Sequence, residues 1–188
     1  MLKDLILKSR SYRRFHQHHK ITNEELRELI DLARLSPSAR NAQPLKFIIS
    51  NTSEKNEKIF RHLTWAGYLT DWDGPEDGER PSAYIIVLLD TGITDNQFCD
   101  DGIAIQSIRL GATEKGLGGC IIAAIDKEEL RKDLAIPDKY RILYVLALGK
   151  PKEKVVIEDM KNDDFKYWRS EDEIHHVPKR DIDEIIIS

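Results

Sequence analysis

The chain has 188 residues with 29 Lys+Arg, 33 Asp+Glu and a formal net charge of −4, and 40% of its residues are hydrophobic. This composition predicts one soluble globular domain that can bury a core, and it excludes an intrinsically disordered chain. The longest apolar runs have seven residues. They are too short for a membrane-spanning helix, which needs roughly 20 residues.

The N-terminus and the cysteine content favour the cytoplasm. Met1–Lys8 is charged from its third residue and lacks the apolar stretch of a secretory signal. The two cysteines, Cys99 and Cys120, are too few for a disulfide framework or for a zinc site of their own. We therefore expect a protein of a reducing compartment with no membrane partner.

Three helices and two strands are predicted in the first half of the chain. The best defined helix starts at a capping box formed by Thr22 and Glu25, continues with apolar residues at helical spacing, and ends before Pro37. The other predicted elements are helices within Leu2–Ser9 and over Glu54–Leu63, and strands over Phe47–Ser50 and Ala83–Leu89.

The second half continues the alternation of helices and strands. In order, the predicted elements are the helix Asp100–Lys115, the glycine run Gly116–Gly119, the strand Cys120–Ile125, a helix capped by Asp126 that ends at Leu134, and the strand Arg141–Leu148. The first of these is apolar around much of its circumference, as expected for a central or interface helix. The pattern predicts a single α/β or α+β domain over residues 1–188, with a central mixed sheet flanked by helices.

The C-terminal extension, residues 150–188, differs in character. Lys150–Arg180 is polar, carries scattered aromatic residues and has no clear period, whereas Ile182–Ile187 is apolar and favours a β-strand. Such a tail either wraps around a partner subunit or folds on its own domain. The sequence leaves both arrangements open.

A candidate phosphate site follows the first predicted helix. Arg10 and Arg13 offer planar donor forks suited to phosphate, and the Ser11 hydroxyl adds a short donor. The alternative is a cluster of solvated charges, because the first twenty residues carry six basic side chains against one acid, Asp4.

A polar loop joins the capped helix to the next strand. Ser36–Pro44 contains two prolines, which exclude regular structure, and the polar side chains Ser38, Asn41 and Gln43. Amide side chains both donate and accept, as recognition of a polar heterocycle edge or a polyol requires. The alternative is that these side chains only cap the preceding helix.

A second basic patch, Pro178-Lys179-Arg180, stands far along the chain from the first. If the tail returns to the first helix, both patches could clamp one phosphate. The alternative is again surface charge.

Other signals predict no further site. Gly116–Gly119 follow a helix and precede a strand, which is the wrong order for a dinucleotide loop, so we interpret them as helix-ending residues that could also bring the backbone close to a flat ligand. The histidines lack acidic or cysteine partners at ligand spacing, and neither cysteine has the setting of a nucleophile. The acidic total and scattered basic pairs disfavour nucleic-acid binding.

Four segments in this order resemble the nitroreductase family. They are Arg-Ser-Tyr-Arg-Arg-Phe at 10–15, Ser-Pro-Ser-Ala-Arg-Asn-Ala-Gln-Pro at 36–44, Gly-Leu-Gly-Gly-Cys at 116–120 and His-Val-Pro-Lys-Arg at 176–180. The resemblance implies an α+β flavoprotein that is an intertwined homodimer, with FMN bound at the subunit interface.

The resemblance also implies roles for individual residues. Arg10, Ser11 and Arg13 would bind the FMN phosphate, joined by Lys179 or Arg180 from the tail. Loop residues would approach the flavin from the other subunit, and the backbone after the glycine run would lie by the flavin ring. The loop residues are Pro37, Ser38, Asn41 and Gln43, and the backbone residues are Ile122, Ala123 and Ala124.

The implied chemistry belongs to the cofactor. Hydride passes from NAD(P)H to flavin N5 and then to a nitro, quinone or related small-molecule acceptor in a ping-pong scheme. No side chain need act as acid or base, so we name no catalytic residue, and the spacing of the histidines gives no metal site. A specialised flavin enzyme of the same fold, such as a dehalogenase or an azoline dehydrogenase, and a non-catalytic FMN-binding protein remain alternatives.

Overall fold

The computed structural model describes residues 1–187, so Ser188, the last residue of the predicted domain, lies outside the described part of the chain. The helices are α1 (Leu2–Lys8), α2 (Asn23–Leu35), α3 (Ser53–Phe60), α4 (Asp100–Glu114), α5 (Lys127–Asp133) and α6 (Ile182–Ile185), with a 3-10 turn at Ala39–Asn41. The strands are β1 (Leu45–Ser50), β2 (Ala83–Asp90), β3 (Gly118–Ile122), β4 (Tyr140–Gly149), β5 (Lys154–Asp159), β6 (Trp168–Arg169) and β7 (Ile174–Lys179).

Four strands form the central sheet in the order β1-β2-β4-β3, and each neighbouring pair is antiparallel. Helices cover both faces of this sheet. On one face, α2 and α4 contribute Leu26, Leu29 and Ile108 to the core, and on the other, α3 and α5 contribute Ile59 and Leu130. Every residue of β2 is therefore buried, which explains why its sequence is apolar from Ala83 to Leu89.

The fold class is α+β, as predicted, but the mixed pairing lies in a second sheet. This smaller sheet has the order β5-β7-β6, with β5 parallel and β6 antiparallel to β7. The sheet was predicted from runs of apolar residues that indicate buried strands. The second sheet lies in the polar tail, where the sequence has no such runs. The central sheet itself is antiparallel.

Local sequence sets most helix starts. The Glu25 backbone N–H donates to the Thr22 hydroxyl at 3.1 Å, and the Glu25 carboxylate accepts from the Thr22 backbone N–H at 2.8 Å, so the predicted capping box of α2 is confirmed. The β-strand predicted for Ile182–Ile187 is wrong, because α6 occupies Ile182–Ile185. The Asp181 carboxylate accepts the Asp183 N–H at 2.9 Å, and this cap overrides the β preference of the isoleucines.

The tail returns to the N-terminal segment of its own chain. Phe15 and Pro151 form an isolated β-bridge, and the His16 N–H donates to the Lys150 carbonyl at 2.8 Å. The Lys152 N–H donates to the carbonyl of Arg14 at 3.0 Å. These contacts bring the second sheet against residues 11–17. Within residues 1–187, no helix has the length and apolar character needed to cross a membrane.

Gly119 is the glycine whose replacement should be most damaging to the sheet. A Cβ there would lie 2.7 Å from the backbone oxygen of Ala147 and 2.9 Å from a Leu148 methyl group. We expect Gly119→Ala to lower the free energy of unfolding by about 1–3 kcal/mol, because β4 cannot move away without breaking its ladder. Gly67→Ala, where nothing lies within 4 Å, is the matched control. Urea denaturation of both variants checks the difference, and equal midpoints would contradict it.

Candidate cofactor site

The first feature of the site is the close approach of residues 11–12 to the edge strand β3. Ser11 and Gly119 form a parallel β-bridge, and the Tyr12 N–H donates to the Gly119 carbonyl at 3.2 Å. A Cβ on Gly118 would collide with the Tyr12 ring and lie 2.7 Å from Pro151. At Gly118 the glycine is therefore required by protein neighbours, and it belongs to β3 and not to a helix-ending loop.

Three arginines gather at this edge with neutral partners. The Arg10 guanidinium donates to the Ile6 carbonyl at 2.6 Å, and Arg109, on α4, donates to the Ser9 carbonyl at 3.2 Å. Arg13 donates to the Nε2 atom of His175 at 3.0 Å. Among residues 1–187, no carboxylate lies within ion-pair distance of these three guanidinium groups, so their positive charges are not neutralised inside the chain.

Several polar atoms of this cluster are buried without a hydrogen-bond partner among the described residues. They are the Nε atoms of Arg10 and Arg109 and the hydroxyl oxygen of Ser9. Burial lowers the pKa of Arg109, and the nearby charge of Arg10 lowers it further. Unpaired buried donors and mutual repulsion are both relieved by a bound anion. The cluster therefore fits a phosphate group.

The next arginine in the chain has the opposite surroundings. The Arg14 guanidinium forms ion pairs with Glu79 at 2.5 Å and with Glu173. The Arg14 hydrogen bond and the neighbouring Lys152 lower the pKa of Glu79 to about 2. The charge of Arg14 is thus neutralised by carboxylates of the protein, and Arg14 is not part of the anion site.

Residues of the tail hold Arg13 from two sides. The Arg13 backbone N–H donates to the buried carboxylate of Glu153, and its guanidinium lies 4.4 Å from the centre of the Tyr167 ring. His175, which accepts from the same guanidinium, is only 1% exposed. Burial, followed by the charges of Arg13 and Arg169, lowers the pKa of His175 from 6.5 to about 4.

The depressed pKa of His175 predicts an acid-labile fold. Between pH 6.5 and about 4 the imidazole of His175 binds a proton in the unfolded chain but not in the folded chain. The free energy of unfolding is therefore unaffected by this group above pH 6.5 and decreases as the pH falls toward 4. We expect a loss of roughly 2 kcal/mol over this window after allowance for solvent screening. Denaturation of the ligand-free protein at several pH values checks this. His175→Gln should flatten the profile, His18→Gln should not, and identical profiles for the two variants would contradict the assignment.

Beyond the arginines, β3 ends in exposed backbone. Ile122 is buried, whereas Ala123 and Ala124 are exposed. The Ala124 carbonyl accepts from Thr64 N–H at 3.0 Å, but within the described chain the amides of Ala123 and Ala124 donate to no backbone carbonyl. Four residues of strand separate Gly119 from Ala123, or about 13 Å. Free amides thus follow the arginine cluster along one sheet edge.

The loop predicted from the two prolines is anchored to the start of α4. The Ser38 hydroxyl donates to the Asp100 carboxylate at 2.6 Å, and the Ala39 N–H donates to it at 2.8 Å. Ser38 also accepts the Gln43 N–H at 2.9 Å. Asn41 and Gln43 have φ values of +54° and +50°, a conformation that is uncommon for non-glycine residues. Pro37 and the side chains of Asn41 and Gln43 are exposed.

One chain does not bring all the predicted residues together. Asp100, which anchors the loop, and Arg109 are nine residues apart on α4, or about 13 Å along the helix axis. Lys179 ends β7 four residues after His175, again about 13 Å away. Arg180 pairs with Asp163 at 2.8 Å and Glu184 at 3.1 Å. The structure therefore joins Arg10, Ser11 and Arg13 but leaves the loop and the basic tail patch elsewhere.

Sequence reasoning missed three residues of the cluster, namely Arg109, Glu153 and His175. For Arg109 a signal existed, because it is the single arginine of the predicted helix and Ile105, Ile108 and Ala112 around it are apolar. For the two tail residues no local pattern indicates a contact more than a hundred residues away.

Comparison with known proteins decides the family. The sequence profile of the nitroreductase family matches residues 6–71 and 80–150. The chain belongs to the nitroreductase family. This confirms the resemblance predicted from the four sequence segments. The match ends at residue 150. Glu153 and His175, which contact Arg13 in this nitroreductase-family chain, therefore lie outside the matched region.

Two relatives and two solved structures illustrate the similarity. A protein of Archaeoglobus fulgidus with a provisional name as an NADH dehydrogenase/NAD(P)H nitroreductase is 28% identical over 149 residues, 75% of this chain and 80% of that one. Iodotyrosine deiodinase of Thermotoga neapolitana is 27% identical over 169 residues, 80% of this chain and 89% of that one.

The solved structures support the nitroreductase fold. A nitroreductase family protein of Streptococcus pneumoniae TIGR4 superimposes with a TM-score of 0.71 at 19% identity and covers 100% of both chains. An FMN-dependent nitroreductase of Clostridium difficile R20291 gives a TM-score of 0.63 at 22% identity, covering 89% of this chain and 97% of that one.

Proposed function

We propose that the chain is an FMN-dependent oxidoreductase that passes reducing equivalents from NAD(P)H to nitro, quinone or related acceptors. The observation that carries the proposal is the cluster of Arg10, Arg13 and Arg109, whose charges have no carboxylate partner within residues 1–187. Membership of the nitroreductase family and the FMN-dependent structural relative support the identity of the anion as the FMN phosphate.

The residues of the chain would bind FMN, orient its ring and shield it from water. The guanidinium groups of Arg10 and Arg13 and the Ser11 hydroxyl would hold the phosphate, since the hydroxyl makes no hydrogen bond within the described chain. The free amides of Ala123 and Ala124 would donate to the edge of the ring. When bound, FMN supplies the redox chemistry by accepting hydride from NAD(P)H and passing electrons to the second substrate.

We propose further that the active form is a homodimer in which each site takes residues from both copies. Two features support this. Leu2, Ile6 and Leu7 of α1 are 63%, 43% and 48% exposed, and an amphipathic helix with an exposed apolar side needs a partner surface. The loop presents exposed Pro37, Asn41 and Gln43, and its anchor Asp100 lies about 13 Å along α4 from Arg109. A second copy would supply that loop, and Lys179 or Arg180 if the tail also crosses over.

Anaerobic titration tests the proposal. Purified protein should carry FMN in stoichiometric amount, NADH or NADPH should bleach its visible flavin absorbance, and a nitroaromatic or a quinone should restore it. A protein that purifies without FMN and cannot be loaded with it would contradict the cofactor assignment. Bound FMN that neither nicotinamide reduces would contradict the electron donor.

A second candidate activity is reductive dehalogenation, because the iodotyrosine deiodinase relative is nearly as similar as the nitroreductase relative. In that case dithionite-reduced protein should be reoxidised under anaerobic conditions by iodotyrosine faster than by a nitroaromatic. Reoxidation by neither compound, nor by a quinone, would favour a non-catalytic FMN-binding protein.

A further inference from the structure

Arg13 and Arg14 are neighbours in the chain but are held in different ways. Arg14 is fixed by the carboxylates of Glu79 and Glu173, which cancel its charge. Arg13 is fixed by the imidazole of His175 at 3.0 Å and by the face of the Tyr167 ring at 4.4 Å. Neither of these two groups carries a negative charge, so Arg13 is immobilised without being neutralised.

The geometry determines which form of His175 is present. A guanidinium group only donates hydrogen bonds, so the Nε2 atom of His175 must accept, and the neutral ring carries its proton on Nδ1. Nδ1 is buried and has no partner among residues 1–187. Burial and the neighbouring guanidinium groups of Arg13 and Arg169 disfavour a second proton on the ring. His175 is therefore a neutral acceptor at neutral pH.

We propose that His175 is a positioning residue that orients the Arg13 guanidinium through a neutral hydrogen bond and so keeps its positive charge available to the FMN phosphate. The inference rests on the proposed function, in which Arg13 binds that phosphate. A carboxylate in the place of His175 would also orient Arg13, but it would form an ion pair with it, as Glu79 does with Arg14, and would so compete with the phosphate.

The charge of the side chain at position 175 should therefore control FMN affinity separately from stability. His175→Gln keeps a neutral acceptor, and we expect its dissociation constant for FMN to stay within about 3-fold of the wild type. His175→Glu keeps an acceptor but adds a negative charge, and we expect affinity to fall at least about 10-fold. The FMN-free His175→Glu protein should unfold at a urea concentration equal to or above that of the wild type, because a carboxylate replaces a neutral group among arginines.

The experiment is titration of FMN into FMN-free protein, followed by flavin fluorescence, with urea denaturation of the same samples. His176→Gln is the matched control, because His176 stacks on Trp168 and contacts Glu158 rather than Arg13. If His175→Glu does not fold, Tyr167→Glu places a carboxylate beside Arg13 from a less buried position, and Tyr167→Phe keeps the ring. The glutamate variant should weaken FMN binding and the phenylalanine variant should not.

The outcomes separate the inference from the proposed function. Wild-type protein that does not bind FMN contradicts the proposed function itself. Wild-type protein that binds FMN, together with a folded His175→Glu or Tyr167→Glu variant that binds it equally tightly, overturns only the role of His175. Affinity losses that simply follow stability losses in the Gln and Glu variants would also overturn it, since they would indicate a structural contact alone.

Discussion

Replacing Arg10 with alanine should weaken FMN binding by about 10- to 150-fold, which corresponds to the loss of about 1.5–3 kcal/mol of charge-assisted hydrogen bonding. The effect on the fold should be small, because within the described chain the Arg10 guanidinium donates only to the Ile6 carbonyl at the end of α1. Arg10 is for this reason a better probe than Arg13, whose guanidinium also packs against the tail.

Two variants sharpen this prediction. Arg10→Lys keeps the charge but loses the planar fork, so its affinity should lie between those of the wild type and the alanine variant. Arg27→Ala removes an exposed arginine from α2 and should leave FMN binding unchanged. Equilibrium titration of FMN into the FMN-free wild type and the three variants gives the comparison. Wild-type affinity in Arg10→Ala would show that the phosphate lies elsewhere.

Replacing Asp100 with alanine should destabilise the protein by about 2–4 kcal/mol and also reduce FMN binding. Asp100 is only 3% exposed, and its carboxylate accepts from the Ser38 hydroxyl and from the Ala39 N–H. It also stands at the N-terminal end of α4, where a negative charge is favourable. Its removal leaves the Ala39 N–H without an acceptor and frees a loop whose Asn41 and Gln43 adopt left-handed backbone conformations.

Urea denaturation and FMN titration together test this prediction. Asp100→Asn keeps one acceptor oxygen and should lose less stability than Asp100→Ala. Asp95→Ala, in the exposed turn before α4, is the control and should change neither property. An Asp100→Ala protein with native stability would mean that the loop holds its conformation without this anchor.

The elements that could be predicted from the sequence are those whose structure depends on nearby residues or on burial. The Thr22 and Glu25 capping box and the uninterrupted apolar run of β2 each need only nearby residues or burial to be understood. The pairing of Arg10 and Ser11 with a phosphate came from residue chemistry and from the family resemblance. Their position beside β3 depends on a β-bridge between Ser11 and Gly119, which no local pattern predicts.

Distant contacts account for what the sequence could not predict. Gly118 looked like part of a helix-ending run, but the approach of Tyr12 and Pro151 places it in a strand. The contact of Arg13 with His175 joins residues 162 positions apart. An arginine can be recognised in the sequence. Whether its charge is neutralised depends on side chains that only the tertiary fold brings to it.

We propose that each FMN site is divided between two copies of the chain, with the arginines of one copy facing the loop of the other. A mixed dimer tests it directly. One copy carries Arg10→Ala and the other carries Asn41→Gly with Gln43→Gly, which removes both amides while glycine tolerates the left-handed backbone. Different affinity tags on the two copies allow the mixed dimer to be isolated after co-expression.

The tightly bound FMN in each purified dimer is the measured quantity. Dimers of either variant alone should bind FMN weakly at both sites. The mixed dimer should bind about one FMN with wild-type affinity, because one of its two sites combines an intact Arg10 with an intact loop. A mixed dimer that binds FMN as weakly as the variant dimers would contradict the divided site, and so would a wild-type protein that is monomeric and fully loaded with FMN.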